Sequence, residues 1–346
     1  MMTTPVMLVG YFMVPVFGAM VCAGPAVTRP GAAFGVRVPA DHASAPVIRR
    51  QRDLYVRSTA IVTACATAAV FLSWGRGSWW LGRIILVLEL AAELACYLRA
   101  RRRITEAKRS GRWFAGQRPA VVADTGWRTE PERVPVRWLI PALAVIAATV
   151  SLRLAYGPSA ARGPADGFAV TIGQVFVTTL WTGLMLLFYR SRPDLDPADP
   201  TASLQWYRRL LGTYARAVLV MVALIDVSLL LHALQVWHVA RPPVPLVPLP
   251  AVAGLLTLIG TALWAGRDRA EAGTARLGRA RAAGVTAPDD DRWWKIGLVY
   301  VHHDDPAIVV PARFGVGWTL NFGNPSAWLV VAGIVAGPAG LALLLR

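Results

Sequence analysis

Eight mostly apolar runs divide the chain, at residues 5–26, 58–74, 79–98, 138–156, 168–189, 215–236, 245–264 and 327–345. The hydrocarbon core of a bilayer is about 30 Å thick, and about 20 apolar residues in a helix cross it. Each run therefore predicts one membrane-spanning helix, about eight in all, and no room is left for a large soluble domain. Residues 1–26 carry no Lys or Arg. A cleaved secretory leader has a basic start and a short apolar core, so a retained first helix is expected.

The polar stretches between the runs have distinct characters. Residues 99–112 are basic and helix-compatible and should continue the third run, and residues 267–283, rich in Ala, Arg and Glu, should extend the seventh. Residues 190–209 read RSRPDLDPADPTASLQWYRR, a turn-rich start followed by a helix that Asp199 or Thr201 can cap. RPPVPLVPLP at 241–250 predicts an extended lead-in to the seventh run. Residues 73–78 suffice only to turn the chain, and 157–167 read as an irregular loop.

Residues 293–322 differ from all of these, mixing β-branched and aromatic residues with turn signals. They predict a strand at 296–301, a turn at 303–306, its partner strand at 307–310 and a third extended piece at 318–322. A small β-element should therefore precede the last helix. Trp293, Trp294, Trp318 and Trp328 suit a membrane interface, where Trp is enriched.

Composition agrees with the pattern. Of the 346 residues, 55% are hydrophobic and 16% charged, against about 25% charged in a soluble domain. That excludes a disordered chain and disfavours a soluble enzyme. Cys22, Cys65 and Cys96 all sit in apolar runs and form neither a disulfide framework nor a metal-type spacing.

The net charge of +16 first suggests nucleic acid as a partner. Its distribution says otherwise. Of the 36 Lys and Arg, 30 fall in alternate inter-run segments, 27–57, 99–137, 190–216 and 266–313. The positive-inside rule assigns those segments to the cytoplasmic side and both termini to the outside. The charge then faces anionic lipid head groups, and no nucleic-acid-binding pattern accompanies it.

The most specific string in the chain is W-K-x-G…D-D-P…V-P-x-R-F-G-x-G-W-T-L-N-F-G. It is carried by Trp294, Lys295, Gly297, Tyr300, Asp305, Pro306, Pro311, Arg313, Phe314, Gly315, Gly317, Trp318, Thr319, Asn321 and Phe322. It resembles a C-terminal domain of unknown function found in bacterial multi-span membrane proteins. His302 and His303 depart from the Asn-Pro of relatives, so the likeness implies no histidine chemistry. Phe34-Gly35-Val36-Arg37-Val38-Pro39 followed by Arg49-Arg50 looks like the same group. Arg192-Pro193-Asp194-Leu195-Asp196 is distantly similar to the membrane region of SdpI-type immunity proteins. That likeness implies a role in protection against a secreted toxic peptide.

Ionisable groups inside a membrane usually face a bundle interior or water. Glu89 and Glu93 lie four apart on one face of the third run, and Asp226 lies mid-way along the sixth. Glu89 and Asp226 are expected in one midplane layer, with Arg153 and His232 above them toward the outer ends. Two readings stay open: a proton or cation pathway or ligand cleft, and interhelical hydrogen bonding that fixes packing. His302-His303-Asp304-Asp305 places four metal-type ligands in one turn, where they cannot all face one ion, so no metal or cofactor is expected. Gly315-Val316-Gly317 lacks the rest of a phosphate loop. Arg37 and Arg313 each sit beside a Phe-Gly-Val string and suit a lipid phosphate or an acidic partner. No nucleophile and base converge, so catalysis is not expected.

The expectation is an all-α integral membrane protein of the bacterial cytoplasmic membrane with a small cytoplasmic β-element. Residues 1–265 form a seven-span region, 266–324 a linker helix and β motif, and 325–346 the last helix. A non-enzymatic sensor, regulator or immunity-type role is expected, with a peptide or lipid as ligand. The alternative is an ion-coupled transporter.

Overall fold

Helices occupy all eight apolar runs. The computed structural model describes residues 4–29, 31–73, 79–116, 118–119, 132–156, 164–193, 195, 199–283 and 285–344. Within them run α1 (Thr4–Val27), α2 (Pro46–Ser73), α3 (Trp79–Ser110), α4 (Ile140–Tyr156), α5 (Pro164–Tyr189), α6 (Pro200–Val236), α7 (Leu249–Ala283) and α8 (Pro325–Leu344). Five helical stretches are long and apolar enough to cross a membrane: Pro46–Ser73, Val136–Tyr156, Phe168–Tyr189, Pro200–Val236 and Val244–Arg269. Val14–Val27 and Pro325–Gly337 are apolar but shorter. The α3 run is interrupted by Arg83, Glu89 and Glu93.

The outer faces of the helices explain the hydropathy. Leu72 is 78% exposed, Leu329 75% and Leu154 69%. Large apolar surface left in water is unfavourable by about 25 cal/mol per Å², and contiguous apolar patches mark interaction or membrane surfaces. These apolar helices fit a membrane protein.

Two helix groups build the body. In one, α1, α2 and α3 pack on each other; in the other, α4, α5 and α6 do, and α7 packs on both α6 and α1. The first group buries Ile48, Tyr55, Tyr97 and Ile104, and the second Ala142, Met185, Val218, Leu219 and Val222. A side chain at Gly337 of α8 would meet the ring of Phe176, which sets α8 beside α5.

Local chemistry accounts for the helix ends. α3 runs to Ser110 with Lys108 and Arg109 in its last turn, where cations favour the negative end of the helix dipole. Asp199 caps α6 by accepting a hydrogen bond from the Ala202 N–H at 3.1 Å, with Pro200 at the first helical position. α7 continues past residue 265 to Ala283. The proline-rich lead-in to α7 is not extended as expected: Val244–Leu246 forms a 3-10 turn. Proline's fixed φ suits a first helical turn as well as an extended chain.

The strands form two-stranded pairs. β1 (Ala32–Ala33) and β2 (Val36–Arg37) are an antiparallel hairpin, while β3 (Arg118–Pro119) and β4 (Val285–Thr286) pair in parallel. β5 (Trp294–Lys295) pairs with β6 (Val299–Tyr300), and β7 (Val309–Pro311) with β8 (Trp318–Leu320), both antiparallel. This corrects the expected pairing of 296–301 with 307–310. Ile296 and Gly297 take φ of 48° and 76°, so the chain reverses at 296–298 and folds back on residue 294. Gly315 and Gly317, with φ of 74° and 122°, likewise let 309–311 pair forward. Glycine adopts such φ values without steric cost. A bridge from Tyr300 to Asn321 joins the two hairpins. Residues 74–78 of the turn expected at 73–78, the start of the loop expected at 157–167, and Asp194 and Asp196 lie outside the described residues.

Candidate functional site

The motif residues converge with the first loop and the end of α3. Three consecutive carboxylates, Asp289, Asp290 and Asp291, form the hub. Arg313 is fully buried and donates through one terminal nitrogen to Asp291 and through the other to Asp290. It also donates to the Gly35 carbonyl at 3.3 Å and lies 4.8 Å from the centre of the Trp294 ring. Arg37 donates its backbone N–H to Asp291 at 2.9 Å and its Nε to Asp290 at 3.1 Å. Lys108 Nζ reaches Asp289 at 2.8 Å and Asp291 at 2.6 Å. Burial on its own would raise the Asp290 carboxyl, but the Arg37 and Arg313 guanidiniums outweigh it and hold that carboxyl well below its ordinary value. Burial, then the like charges of Arg37, Arg269 and Arg313, lowers the neighbouring Arg29 guanidinium from its usual range.

Two glycine turns meet above this hub. The β1–β2 turn uses Phe34 and Gly35, at φ of 49° and 71°, and backs onto the Ile296–Gly297 turn. Tyr97 stands beneath both, its hydroxyl 3.1 Å from the Phe34 carbonyl and 3.2 Å from the Ile296 carbonyl. Arg101 adds a second donor to the Phe34 carbonyl at 3.3 Å. Phe314 stacks on Phe34 at 5.6 Å and meets Tyr97 edge-on at 4.9 Å. Its ring lies 2.9 Å from where a Cβ on Gly24 of α1 would sit. Thr28 accepts from the Gly315 N–H at 2.7 Å and donates to the Gly24 carbonyl. The end of α1 is thus pinned to the 313–316 loop.

The remaining motif residues shape that loop region. Asn321 is fully buried. Its amide nitrogen is 2.9 to 3.1 Å from the carbonyls of His302, Asp305 and Ala307, and its oxygen accepts from the His302 and Gly323 N–H groups. Asp305 accepts from the Tyr300 hydroxyl at 3.0 Å and from the Ala307 N–H at 3.0 Å, with Arg192 at 3.4 Å. Burial, then Asp305, pushes the Tyr300 phenol up to about 12. Trp318 donates to the Tyr207 hydroxyl at 3.0 Å and stacks on Phe188 at 4.6 Å, tying β8 to α6 and α5. Phe322 packs edge-on against Trp328. Lys295 and Pro306 are exposed. His302 stacks on Trp293 and His303 points Nδ1 at the Gly323 carbonyl, 3.0 Å away.

The intramembrane candidates divide between the two helix groups. Asp226 is fully buried, accepts from Thr178 at 2.8 Å, and its carbonyl accepts from Gln174 at 2.9 Å. Gln174 also donates to Thr149 of α4 at 3.1 Å. Glu89 and Glu93 are buried in the other group, where Thr63 donates to Glu93 at 3.4 Å. The cause is the grouping of helices: α3 packs with α1 and α2, α6 with α4 and α5. Arg153 is buried near the rings of Phe168 and Trp237, at 5.8 and 6.0 Å. His232 is exposed on α6.

Sequence reasoning singled out Arg37 and Arg313 but missed Asp289, Asp290, Asp291, Lys108 and Tyr97. One signal was available. Three adjacent carboxylates in a chain with only 20 Asp and Glu, directly before the aromatic motif, demand cationic partners.

Comparison with known proteins touches this same region. Residues 303–328 match a family of unknown function (DUF5808). The matched stretch runs from His303 through Arg313, the glycine turn, β8 and Asn321 into the first turn of α8. No curated protein and no solved structure matches the chain.

Proposed function

We propose that the chain is an eight-span protein of the bacterial cytoplasmic membrane with both termini outside, acting without catalysis as a sensor, regulator or immunity-type protein. A peptide or lipid on the outer side shifts the helix bundle, and the β-element between α7 and α8 reports or anchors that state. One observation carries this reading. The Asp289–Asp291 hub is held by Arg37 of the first loop, Lys108 of α3 and Arg313 of the motif. A rigid-body shift of α1–α3 against α7 therefore loads buried ion pairs, and packed interfaces of this kind switch between discrete arrangements instead of deforming smoothly. The surrounding excess of Arg and Lys supports anionic lipid head groups as the neighbouring surface. The distant likeness to SdpI-type proteins supports a secreted peptide as the outer ligand.

The test is a strain lacking the chain, challenged with secreted antimicrobial peptides and complemented with wild type or with residues 293–322 deleted. Loss of tolerance with retained membrane insertion is the expected result. Equal tolerance in both strains would remove the reporting role.

A transporter in which Glu89, Glu93 and Asp226 share one pathway is the competing reading. The separation of Asp226 from the glutamate pair weighs against it. Normal ion-coupled flux in both Glu89→Gln and Asp226→Asn would eliminate it.

A further inference from the structure

Asp226 holds one oxygen in a hydrogen bond from Thr178 and leaves only Oδ1 without a partner, whereas Glu89 of α3 has neither oxygen bonded. Glu89 and Glu93 are each 2% exposed. Both carboxylate oxygens of Glu89, the Oε2 of Glu93 and the Oγ1 of Thr67 are buried and have no hydrogen-bond partner. A buried carboxylate without a compensating partner is costly in either protonation state, because the acid form also needs an acceptor.

The oxygens share one location. Thr63 Oγ1 lies 3.4 Å from Glu93 Oε1. A Cβ built on Gly18 of α1 would sit 2.2 Å from Thr63 Oγ1 and 2.8 Å from Glu89 Oε1. Two helices, α2 and α3, thus bring oxygens to one spot, and the glycine on α1 keeps a side chain out of it. Thr59, Thr63 and Thr67 follow at four-residue spacing along α2, which puts their hydroxyls on one face. Thr59 is itself occupied, since it accepts from the Cys22 thiol at 3.1 Å and donates to the Tyr55 carbonyl.

The charge balance selects the ligand. No Lys or Arg forms an ion pair with either glutamate among the described residues. Tyr55 on α2 and Cys96 on α3 are the titratable neighbours of Glu93, with Arg99 beyond Cys96. Oxygen-only ligands suit a hard cation. A cluster this small and this apolar does not supply the six to eight oxygens of Ca²⁺ or the retained waters of Mg²⁺.

We propose that Glu89, Glu93 and Thr63, converging on Gly18, form a binding site for a small monovalent cation of the sodium class within the α1–α2–α3 group. Glu89 and Glu93 supply carboxylate oxygens, and Thr63 supplies its hydroxyl oxygen while its proton turns to a backbone carbonyl. The site is independent of the sensor reading, since it involves none of the residues around the aspartate hub.

The experiment uses the full chain in phosphatidylcholine nanodiscs. Its thermal midpoint is followed against NaCl, with choline chloride holding ionic strength constant. A ligand that binds only the folded state raises the midpoint by mass action. The expected result is a saturable rise with sodium that choline does not give. Glu89→Gln should abolish it, Thr63→Val should raise the half-saturating concentration at least tenfold, and Asp226→Asn should leave it intact. Direct binding of radioactive sodium to wild type and Thr63→Val gives a readout that does not depend on Glu89→Gln folding. Equal midpoints in sodium and choline, a sodium response retained in Glu89→Gln, or equal radioactive binding in Thr63→Val would overturn the proposal.

Discussion

Gly35 and Gly297 lie back to back, so close that a Cβ on Gly35 would come within 2.4 Å of the Gly297 carbonyl oxygen. The two residues are the turning points of hairpins from opposite ends of the chain. Both also hold positive φ, 71° and 76°. A side chain at either position meets two obstacles at once, strained backbone and an occupied neighbour.

Gly35→Ala and Gly297→Ala should therefore each destabilise the protein by about 1–3 kcal/mol from backbone strain, with the steric clash adding to it. Gly116, whose φ of 76° comes with nothing within 4 Å, is the control. Gly116→Ala should show the strain without the clash. Thermal unfolding of the three variants in detergent checks this, and equal losses in all three would mean that the contact contributes nothing.

Arg313→Ala leaves Asp290 and Asp291 short of their main cation. Breaking a buried pair from one side costs about 3–5 kcal/mol. Arg313→Met with Asp291→Leu should recover part of that loss, because one of the two carboxylates left short is gone and Asp290 keeps Arg37. A double-mutant cycle on unfolding midpoints measures the coupling, and strict additivity would deny the pair.

The hub also predicts acid sensitivity. Asp290 is depressed in the folded state, so its contribution is fully present above the ordinary carboxylate value of 3.8 and is lost as pH falls below it. The midpoint of wild type should thus fall more steeply below about pH 4 than that of Asp290→Asn. Parallel curves from pH 6 down to pH 3 would contradict the assignment.

Asn321→Ala removes the amide that spans the 302–307 turn and orphans several buried backbone groups, at about 1–3 kcal/mol each. The loss should appear first as protease cleavage near residues 302–307 of folded protein. Unchanged protection would show that the strands hold that turn without the amide.

Among the intramembrane groups, Thr178→Val should cost about 1 kcal/mol, the scale of interhelical hydrogen bonds in bundles. The check is a cycle with Asp226→Asn in the same nanodiscs, where a coupling near zero would show that the 2.8 Å bond is energetically silent.

The helices were legible in the sequence because their cause is local. An apolar run of span length makes a helix wherever it lies, and the extensions to Ser110 and Ala283, like the Asp199 cap, follow from residues within a turn or two. The place of the β-element before α8 was legible for the same reason. Its pairing was not, since the register turned on positive φ at Ile296, Gly297, Gly315 and Gly317, and composition does not reveal which glycine reverses the chain. Nor could the chain alone show that Asp291 meets Lys108 and Arg37, which lie 183 and 254 residues away. The same limit separated Glu89 from Asp226. Depth in a membrane follows from position in a run, but which helices are neighbours follows from side-chain packing. Periodicity thus set the elements, and the tertiary structure alone decided which charges share a site.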